Sequence, residues 1–160
     1  MTELRIGLGI DAHAFAGARP LVLGGVAFEF PRGLAGHSDG DVVVHALIDA
    51  VLGGAALGDI GSLFPSGEET PAGVDSLELL RDAAERVRAA GFQLVNGDCV
   101  LIGQEPRIAE RRAEMEARLS AVAGGPVTVR ATTTDRLGFT GRGEGLAAQA
   151  VALLRRGERL

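Results

Sequence analysis

Residues 37–61, HSDGDVVVHALIDAVLGGAALGDIG, join a turn-like polar start to a long apolar segment. The pattern predicts a helix that begins near Asp39. Asp41, His45 and Asp49 then recur at intervals of four residues and lie on one helix face. The other helical positions are mostly Val, Ala, Leu and Ile, so this polar stripe is expected to face something other than ordinary core.

The strand predicted before this helix supplies two further candidate ligands. Residues 4–11 alternate, with Leu and Ile on one side and Arg, Gly and Asp on the other. Asp11 and His13 fall on the same side, at the end of the strand. With His45 they offer a carboxylate and two imidazoles, which suits zinc and leaves a fourth position for water or substrate. Either acid of the helix stripe would hold the second ring nitrogen of His45; alternatively, both acids are solvated or cap the helix.

The remaining patterns predict an α+β fold in a single domain spanning residues 1–160. We expect a two-layer sandwich, a four-stranded mixed sheet with helices on one face. The other face would then be buried in an oligomer. The predicted elements after the first strand are a hairpin partner at 21–28, the helix above, a helix from Asp75 or Ser76 to Gly91, a strand at 98–104, a helix from Pro106, a strand at 127–134 and a helix at 144–156.

Composition excludes several classes of protein. The 160 residues carry a formal net charge of −5 without a dense basic block, which argues against a nucleic-acid or anionic membrane surface. No apolar run approaches the ~20 residues of a membrane span, and the start of the chain lacks a signal-peptide pattern. The one cysteine, Cys99, fits a reducing compartment. We therefore expect a cytoplasmic protein.

Two further clusters suit phosphate. Ser38 is placed to cap the long helix, whose N-terminus would attract phosphate beside His37; the alternative is a capping serine next to an exposed histidine. The segment 132–135, Thr-Thr-Thr-Asp, precedes a glycine-rich loop that contains Arg142. Its hydroxyls, backbone amides and carboxylate would hold phosphates and a hard cation, although an ordinary strand and loop would give the same pattern.

Three long motifs resemble one enzyme family over nearly the whole chain. They are RIGLGIDAHAF at 5–15, HSDGDVVVHALIDAVLGGAALGDIGSLFP at 37–65 and ATTTDRLGFTGRGEG at 131–145. They are similar, in order and spacing, to motifs of the 2-C-methyl-D-erythritol 2,4-cyclodiphosphate synthase family of the non-mevalonate isoprenoid pathway. The resemblance implies a homotrimeric phosphorus–oxygen lyase with active sites between subunits. Its substrate would be 4-diphosphocytidyl-2-C-methyl-D-erythritol 2-phosphate, converted to the cyclic diphosphate with release of CMP.

The resemblance also implies residue roles. Zinc would be held by Asp11, His13 and His45, and Mg or Mn by Asp135 with the substrate phosphates. His37 and Thr133 would stabilise the transition state. The cavity on the trimer axis would hold an isoprenoid diphosphate near Phe139, Arg142 and Glu144. The resemblance places the methylerythritol phosphate end of the substrate at Ser38, Asp59, Ile60 and Gly61, beside a loop of Phe64, Pro65, Ser66, Gly67 and Glu68. It places the cytidine end at residues 103–109, which include Gly103, Gln104, Glu105, Pro106 and Arg107, and at Thr132 and Thr133. The other implied substrate-binding residues are Asp11, His13, Thr134, Asp135, Phe139 and Arg142.

This chain departs from the family pattern at several positions. Asp135 stands where Glu is usual, so its carboxylate is one methylene shorter. Arg107 and Arg136 replace residues that are commonly Lys, which changes their hydrogen-bond geometry. The loop FPSGEE, residues 64–69, replaces FPDTD. Two other functions use the same residues: a zinc phosphohydrolase in which water attacks, and a trimer that only binds isoprenoid diphosphates.

Overall fold

The computed structural model describes residues 3–67 and 70–157. The described chain forms seven strands and five helices. In chain order they are β1 Leu4–Ala16, β2 Leu21–Leu23, β3 Val26–Phe28, β4 Gly33–Leu34, α1 Val42–Gly54, α2 Ile60–Leu63, α3 Ser76–Ala89, β5 Phe92–Ile102, α4 Arg112–Ala123, β6 Val127–Thr132, α5 Gly138–Gly141 and β7 Gly145–Arg156.

The main sheet has five strands, in the order β4-β1-β7-β5-β6. Only β5 and β6 are parallel, so the sheet is mixed, as expected. The predicted count of four strands was wrong. Helix α1 packs on β1, β7 and β5, α4 packs on β6, and α3 packs on α1. The predicted α+β class and its two layers, one of sheet and one of helices, are confirmed.

The segment 144–156 is a strand and not the predicted helix. As β7 it lies between β1 and β5, and its alternate side chains are buried. The predicted helix rested on the high helix propensity of alanine and leucine. Pairing with a strand on each side outweighs that preference, because propensity is weak against tertiary context. The buried side chains are Leu146, Ala148, Ala150, Ala152 and Leu154.

The hairpin expected between the first strand and residues 21–28 is also absent among the described residues. Strand β1 pairs with β4 and β7, while 21–28 folds into its own two-stranded ribbon, β2–β3. The turn of this ribbon is made by Gly24 and Gly25, which both have positive φ. Helix α1 begins at Val42, with Asp41 as its N-cap, so Ser38 does not cap it.

Two glycines of β1 let helix α1 approach the sheet at backbone contact. A Cβ on Gly7 would lie 1.8 Å from the Ala50 carbonyl oxygen, and one on Gly9 would lie 1.8 Å from that of Ala46. His45 adjoins Ala46, and Asp11 lies two residues beyond Gly9. The glycine side of β1 therefore sets the distance between the helix and strand that carry the candidate metal ligands.

The opposite side of β1 is an apolar face that the described chain leaves open. Ile6 is 74% exposed, and the alternate residues Leu4, Leu8 and Ile10 are each more than half exposed. Val151 of β7 pairs with Leu8 and extends this face. Among the described residues, no helix has the length and apolar character needed to cross a bilayer.

Cys99 is expected to resist thiol reagents in the folded protein. Its side chain has no exposed surface, and burial together with the carboxylates of Asp98 and Asp41 raises the pKa of the thiol to about 12. The thiolate is the reactive form, so raising the pH from 7 to 9 should give little labelling by Ellman's reagent. Denaturant should then release the single thiol of the chain. Rapid labelling of the native protein would contradict the burial.

Candidate active site

Strand β1 and helix α1 bring three candidate ligand atoms together. His13 Nε2 lies 2.7 Å from Asp11 Oδ2, and His45 Nδ1 lies 3.1 Å from the same oxygen. The two imidazole nitrogens are 3.2 Å apart. The predicted cluster is therefore formed within one chain, although His45 follows Asp11 by 34 residues.

The geometry fits a tetrahedral zinc site. Zinc binds imidazole nitrogen at about 2.0–2.1 Å and carboxylate oxygen at about 2.0–2.2 Å, so ligand atoms around a tetrahedral ion lie roughly 3.3 Å apart. The three atoms of the cluster form one compact face at nearly this spacing. The remaining side opens into a cavity of about 200 Å³ that is lined by all three residues. A divalent metal can therefore be held with one position open to the cavity.

The electrostatics of the metal-free cluster follow from the same contacts. Burial acts to raise the pKa of Asp11, but hydrogen bonds and charge from His13 and His45 hold it at about 2. The Asp11 carboxylate raises the pKa of His13 despite burial, and the carbonyl of Ala35 acts in the same direction. The carboxylate is thus already in the charged form that a metal requires.

The two acids of the helix stripe do not hold His45. Asp41 is fully buried and accepts hydrogen bonds from the backbone N–H groups of Gly24, Gly25 and Val44, at 2.7–3.1 Å. Burial and the nearby Asp39 carboxylate raise its pKa to about 6 against these donors. The second acid, Asp49, accepts from the backbone N–H of Ile60 at 2.7 Å. Both acids anchor turns, so their predicted role beside the histidine was wrong.

The second ring nitrogen of His45 instead meets two serines. Nε2 lies 3.0 Å from Ser38 Oγ and 2.9 Å from Ser76 Oγ. The Ser76 hydroxyl lies 2.5 Å from Asp39 Oδ1. Sequence reasoning missed Ser76 because it belongs to α3, 31 residues after His45.

The cavity beside the metal cluster contains most of the residues predicted at the methylerythritol phosphate end. His37 lines it and donates through Nε2–H to the Thr70 carbonyl. Asp59 caps the short helix α2 in a capping box with Ser62. Glu68 lies outside the described residues. The predicted residues that line this cavity are Asp11, His13, His37, Ser38, His45, Ile60, Gly61, Phe64 and Ser66.

Asp135, the predicted second-metal ligand, and Thr133, one of the two predicted transition-state residues, lie elsewhere in the described chain. Thr133 and Asp135 are not among the residues lining the metal cavity. Thr133 Oγ1 lies 3.3 Å from Asp135 Oδ1 in an exposed turn, where Asp135 and Arg136 both have positive φ. Thr134 Oγ1 lies 2.9 Å from Thr140 Oγ1. This turn is well formed in the single chain, but it does not join the candidate metal ligands Asp11, His13 and His45.

A second cavity, of about 380 Å³, combines two regions that the sequence treats separately. It is lined by Gln104, Glu105 and Arg107 from the predicted cytidine end and by Arg142 from the predicted axial group. Arg32 also lines this cavity and stacks over Phe15, with its guanidinium carbon 4.3 Å from the ring centroid. Sequence reasoning missed Arg32, since one arginine in a turn segment carries no distinguishing pattern.

Gly103 lies where β5 and β6 end side by side. Its N–H donates to the Thr132 carbonyl at 3.0 Å. A Cβ on Gly103 would approach the side chain of Leu146 to 2.2 Å, so its small size serves packing against β7. Phe139, predicted at the trimer axis, is 44% exposed.

Comparison with known proteins identifies the family of the chain and agrees with its fold. A model of the YgbB family matches residues 4–155. A relative from Klebsiella pneumoniae (strain 342), named 2-C-methyl-D-erythritol 2,4-cyclodiphosphate synthase, is 50% identical over 159 residues, which are 98% of this chain and 100% of the relative.

Solved structures give the same result. A bifunctional IspDF from Campylobacter jejuni aligns with a TM-score of 0.93 and 40% identity, over 98% of this chain and 43% of that one. IspF of Plasmodium falciparum, in a complex with CDP, aligns with a TM-score of 0.85 and 29% identity, over 99% of each chain. The chain belongs to the YgbB family, the family of the 2-C-methyl-D-erythritol 2,4-cyclodiphosphate synthases.

Proposed function

We propose that the cluster of Asp11, His13 and His45 is the zinc-binding centre of a cyclodiphosphate synthase. The enzyme converts 4-diphosphocytidyl-2-C-methyl-D-erythritol 2-phosphate to 2-C-methyl-D-erythritol 2,4-cyclodiphosphate and CMP. The observation that carries the proposed centre is the compact face of three ligand atoms at the mouth of the smaller cavity. The CDP complex of the Plasmodium falciparum relative supports a cytidine diphosphate-linked ligand for this chain.

The reaction suits a site without a conventional base. An oxygen of the substrate 2-phosphate forms a bond to the β-phosphorus of the diphosphate, and CMP leaves with the bridging oxygen. A phosphate dianion is already a nucleophile, so positioning and charge stabilisation carry the catalysis. Bound zinc and a second divalent ion would polarise phosphate oxygens and offset their charge.

The residues around the cavity have separate tasks in this proposal. His37 and Ser38 lie beside the zinc ligands and are placed to bind phosphate oxygens. The turn that Asp59 caps, with Ile60 and Gly61, encloses the methylerythritol end. Phe64 and Ser66 line the outer wall, where they exclude water from the reacting phosphates.

A homotrimer would complete the site. The apolar face of β1 is long and open, and such faces are normally buried in an assembly. Thr133 and Asp135 form a turn outside the metal cavity of their own chain. We propose that this turn supplies the opposite wall in a neighbouring subunit, with Asp135 holding Mg or Mn through the substrate phosphates. Gln104, Glu105 and Arg107 would then surround the cytidine. Phe139 and Arg142 would face the trimer axis and an isoprenoid diphosphate.

A charge introduced on the apolar face of β1 should dissociate the proposed trimer. Ile6→Glu places a charge at the most exposed of the large apolar side chains on β1. We expect sedimentation velocity to show monomers, with loss of CMP release but full zinc content. Ala121→Glu adds the same charge to an exposed position of α4 and should leave the mass unchanged. A trimeric, active Ile6→Glu variant would rule out this face as the interface.

Removing the Asp135 carboxylate should weaken the binding of the second metal and leave zinc binding unchanged. Asp135→Ala is expected to raise the Mg or Mn concentration for half-maximal activity by at least about tenfold, because a direct metal ligand is lost. Zinc content should stay the same, since Asp11, His13 and His45 are intact. Asp82→Ala removes an exposed carboxylate that pairs with Arg86, and it serves as the control. Equal loss of zinc in the Asp135 variant would overturn this division of roles.

Metal removal and restoration test the proposed function as a whole. Protein dialysed against a chelator should release no CMP from the cytidyl substrate, and zinc added together with magnesium should restore the rate. Each ion alone should restore only part of it. CMP release at the full rate by metal-free protein would contradict the proposal.

A further inference from the structure

We propose that Ser76 and Asp39 are positioning residues for the zinc site, which fix the tautomer and orientation of His45. The inference rests on the proposed zinc centre and adds residues outside the ligand set. Ser76 is fully buried at the first position of α3, and Asp39 lies in the turn before α1. The two residues join the helix that carries His45 to its neighbour.

The contacts form a chain from a carboxylate to the ligand ring. Asp39 Oδ2 accepts from the backbone N–H of Ser76 at 3.0 Å, and its Oδ1 accepts from the hydroxyl of the same residue at 2.5 Å. Ser76 Oγ then lies 2.9 Å from His45 Nε2. On the other side of the ring, Nδ1 faces Asp11 and His13.

The partners of Nε2 fix where the hydrogen on this side of the ring lies. An ionised carboxylate only accepts hydrogen bonds, and a serine hydroxyl has one proton to donate. The Ser76 proton is directed to Asp39, so Ser76 Oγ must accept from His45 Nε2–H. The ring then keeps a hydrogen on Nε2, so a metal that displaces the hydrogen shared between Nδ1 and Asp11 would meet the Nδ1 lone pair. This is the tautomer that a metal requires.

Ser38 alone does not give this assignment. Its hydroxyl also lies 3.0 Å from His45 Nε2 and 3.3 Å from Ser76 Oγ. It has no carboxylate partner among the described residues and can therefore either donate to the ring or accept from it. Asp39 removes that freedom at Ser76, so the pair of Ser76 and Asp39, and not Ser38, fixes the orientation of the ring.

Zinc affinity is the first test. Residues that orient a ligating histidine typically change metal affinity by about 10–100-fold when they are replaced. In competition with a chromophoric chelator, Ser76→Ala and Asp39→Asn should each bind zinc about tenfold or more weakly than the unaltered protein. Ser120→Ala is the matched control, because Ser120 Oγ also accepts a structural hydrogen bond, from Val127 N–H at 2.9 Å, away from the zinc site. Its zinc affinity should not change.

The tautomer of His45 is the second test, and it does not depend on activity. In metal-free protein labelled with ¹⁵N-histidine, long-range ¹H–¹⁵N spectra should show His45 protonated at Nε2. The Ser76→Ala and Asp39→Asn variants should show a mixture of tautomers or the Nδ1–H form, provided that circular dichroism shows them folded. An unchanged tautomer and an unchanged zinc affinity in both variants would overturn the inference. Failure of the unaltered protein to bind zinc would instead refute the proposed centre.

Discussion

His13→Ala is expected to abolish zinc binding and to lower the rate of CMP release by at least about 1,000-fold, at the upper end of effects seen when one electrostatic contribution to a transition state is removed. His13 Nε2 is one of three ligand atoms on a compact face. Without it, Asp11 and His45 leave two ligands, too few for a stable zinc site. Zinc content by atomic emission and initial rates of CMP release are the measurements.

His37→Ala supplies the contrast for this variant. Its ring lines the same cavity but lies outside the ligand set. We expect this variant to keep its zinc and to lose turnover, because it removes the group that we propose to bind a substrate phosphate. If His13→Ala kept both zinc and turnover, the cluster would not be the metal centre.

Gly9→Ala is expected to destabilise the fold by about 3 kcal/mol or more, since overpacking against rigid backbone is among the costlier single changes. The new Cβ would meet the carbonyl oxygen of Ala46 in α1, which cannot rotate away as a side chain would. Moving α1 outward would also draw His45 away from Asp11. The free energy of unfolding in urea should fall together with the zinc affinity.

Gly53→Ala, on helix α1 itself, is the matched control. A Cβ at Gly53 would meet nothing within 4 Å. Removing a helical glycine should raise stability by about 0.5–1 kcal/mol. If Gly9→Ala were as stable as this control, helix α1 would not rest directly on the backbone of β1.

The sequence predicted those elements whose local pattern agrees with their final environment. Helix α3 has an N-cap at Asp75 and an apolar stripe, and both are observed. Strand β7 was mistaken for a helix because its buried side is largely alanine, which packs beneath α1 and which also favours helices. The pattern of alternate burial was present, but nothing local decided between the two periods.

The site residues likewise divide into those that a local pattern predicts and those that only tertiary packing brings together. Asp11 and His13 were predicted because one strand places them on the same side. His45 was predicted because it lies in a polar helix stripe whose members are four residues apart. The roles of Asp41 and Asp49 could not be predicted, because their partners are backbone N–H groups of distant turns. Ser76 and Asp39 meet only through tertiary packing, 37 residues apart.

In the function proposed above, the Asp11–His13–His45 centre cyclises the substrate instead of hydrolysing it. The most direct measurement is phosphorus NMR of the products formed in ¹⁸O-water from the cytidyl substrate, with zinc and magnesium present. We predict one equivalent of CMP and the eight-membered cyclic diphosphate, with no ¹⁸O in either product. A linear product carrying ¹⁸O on phosphorus would contradict cyclisation and would identify a zinc phosphohydrolase.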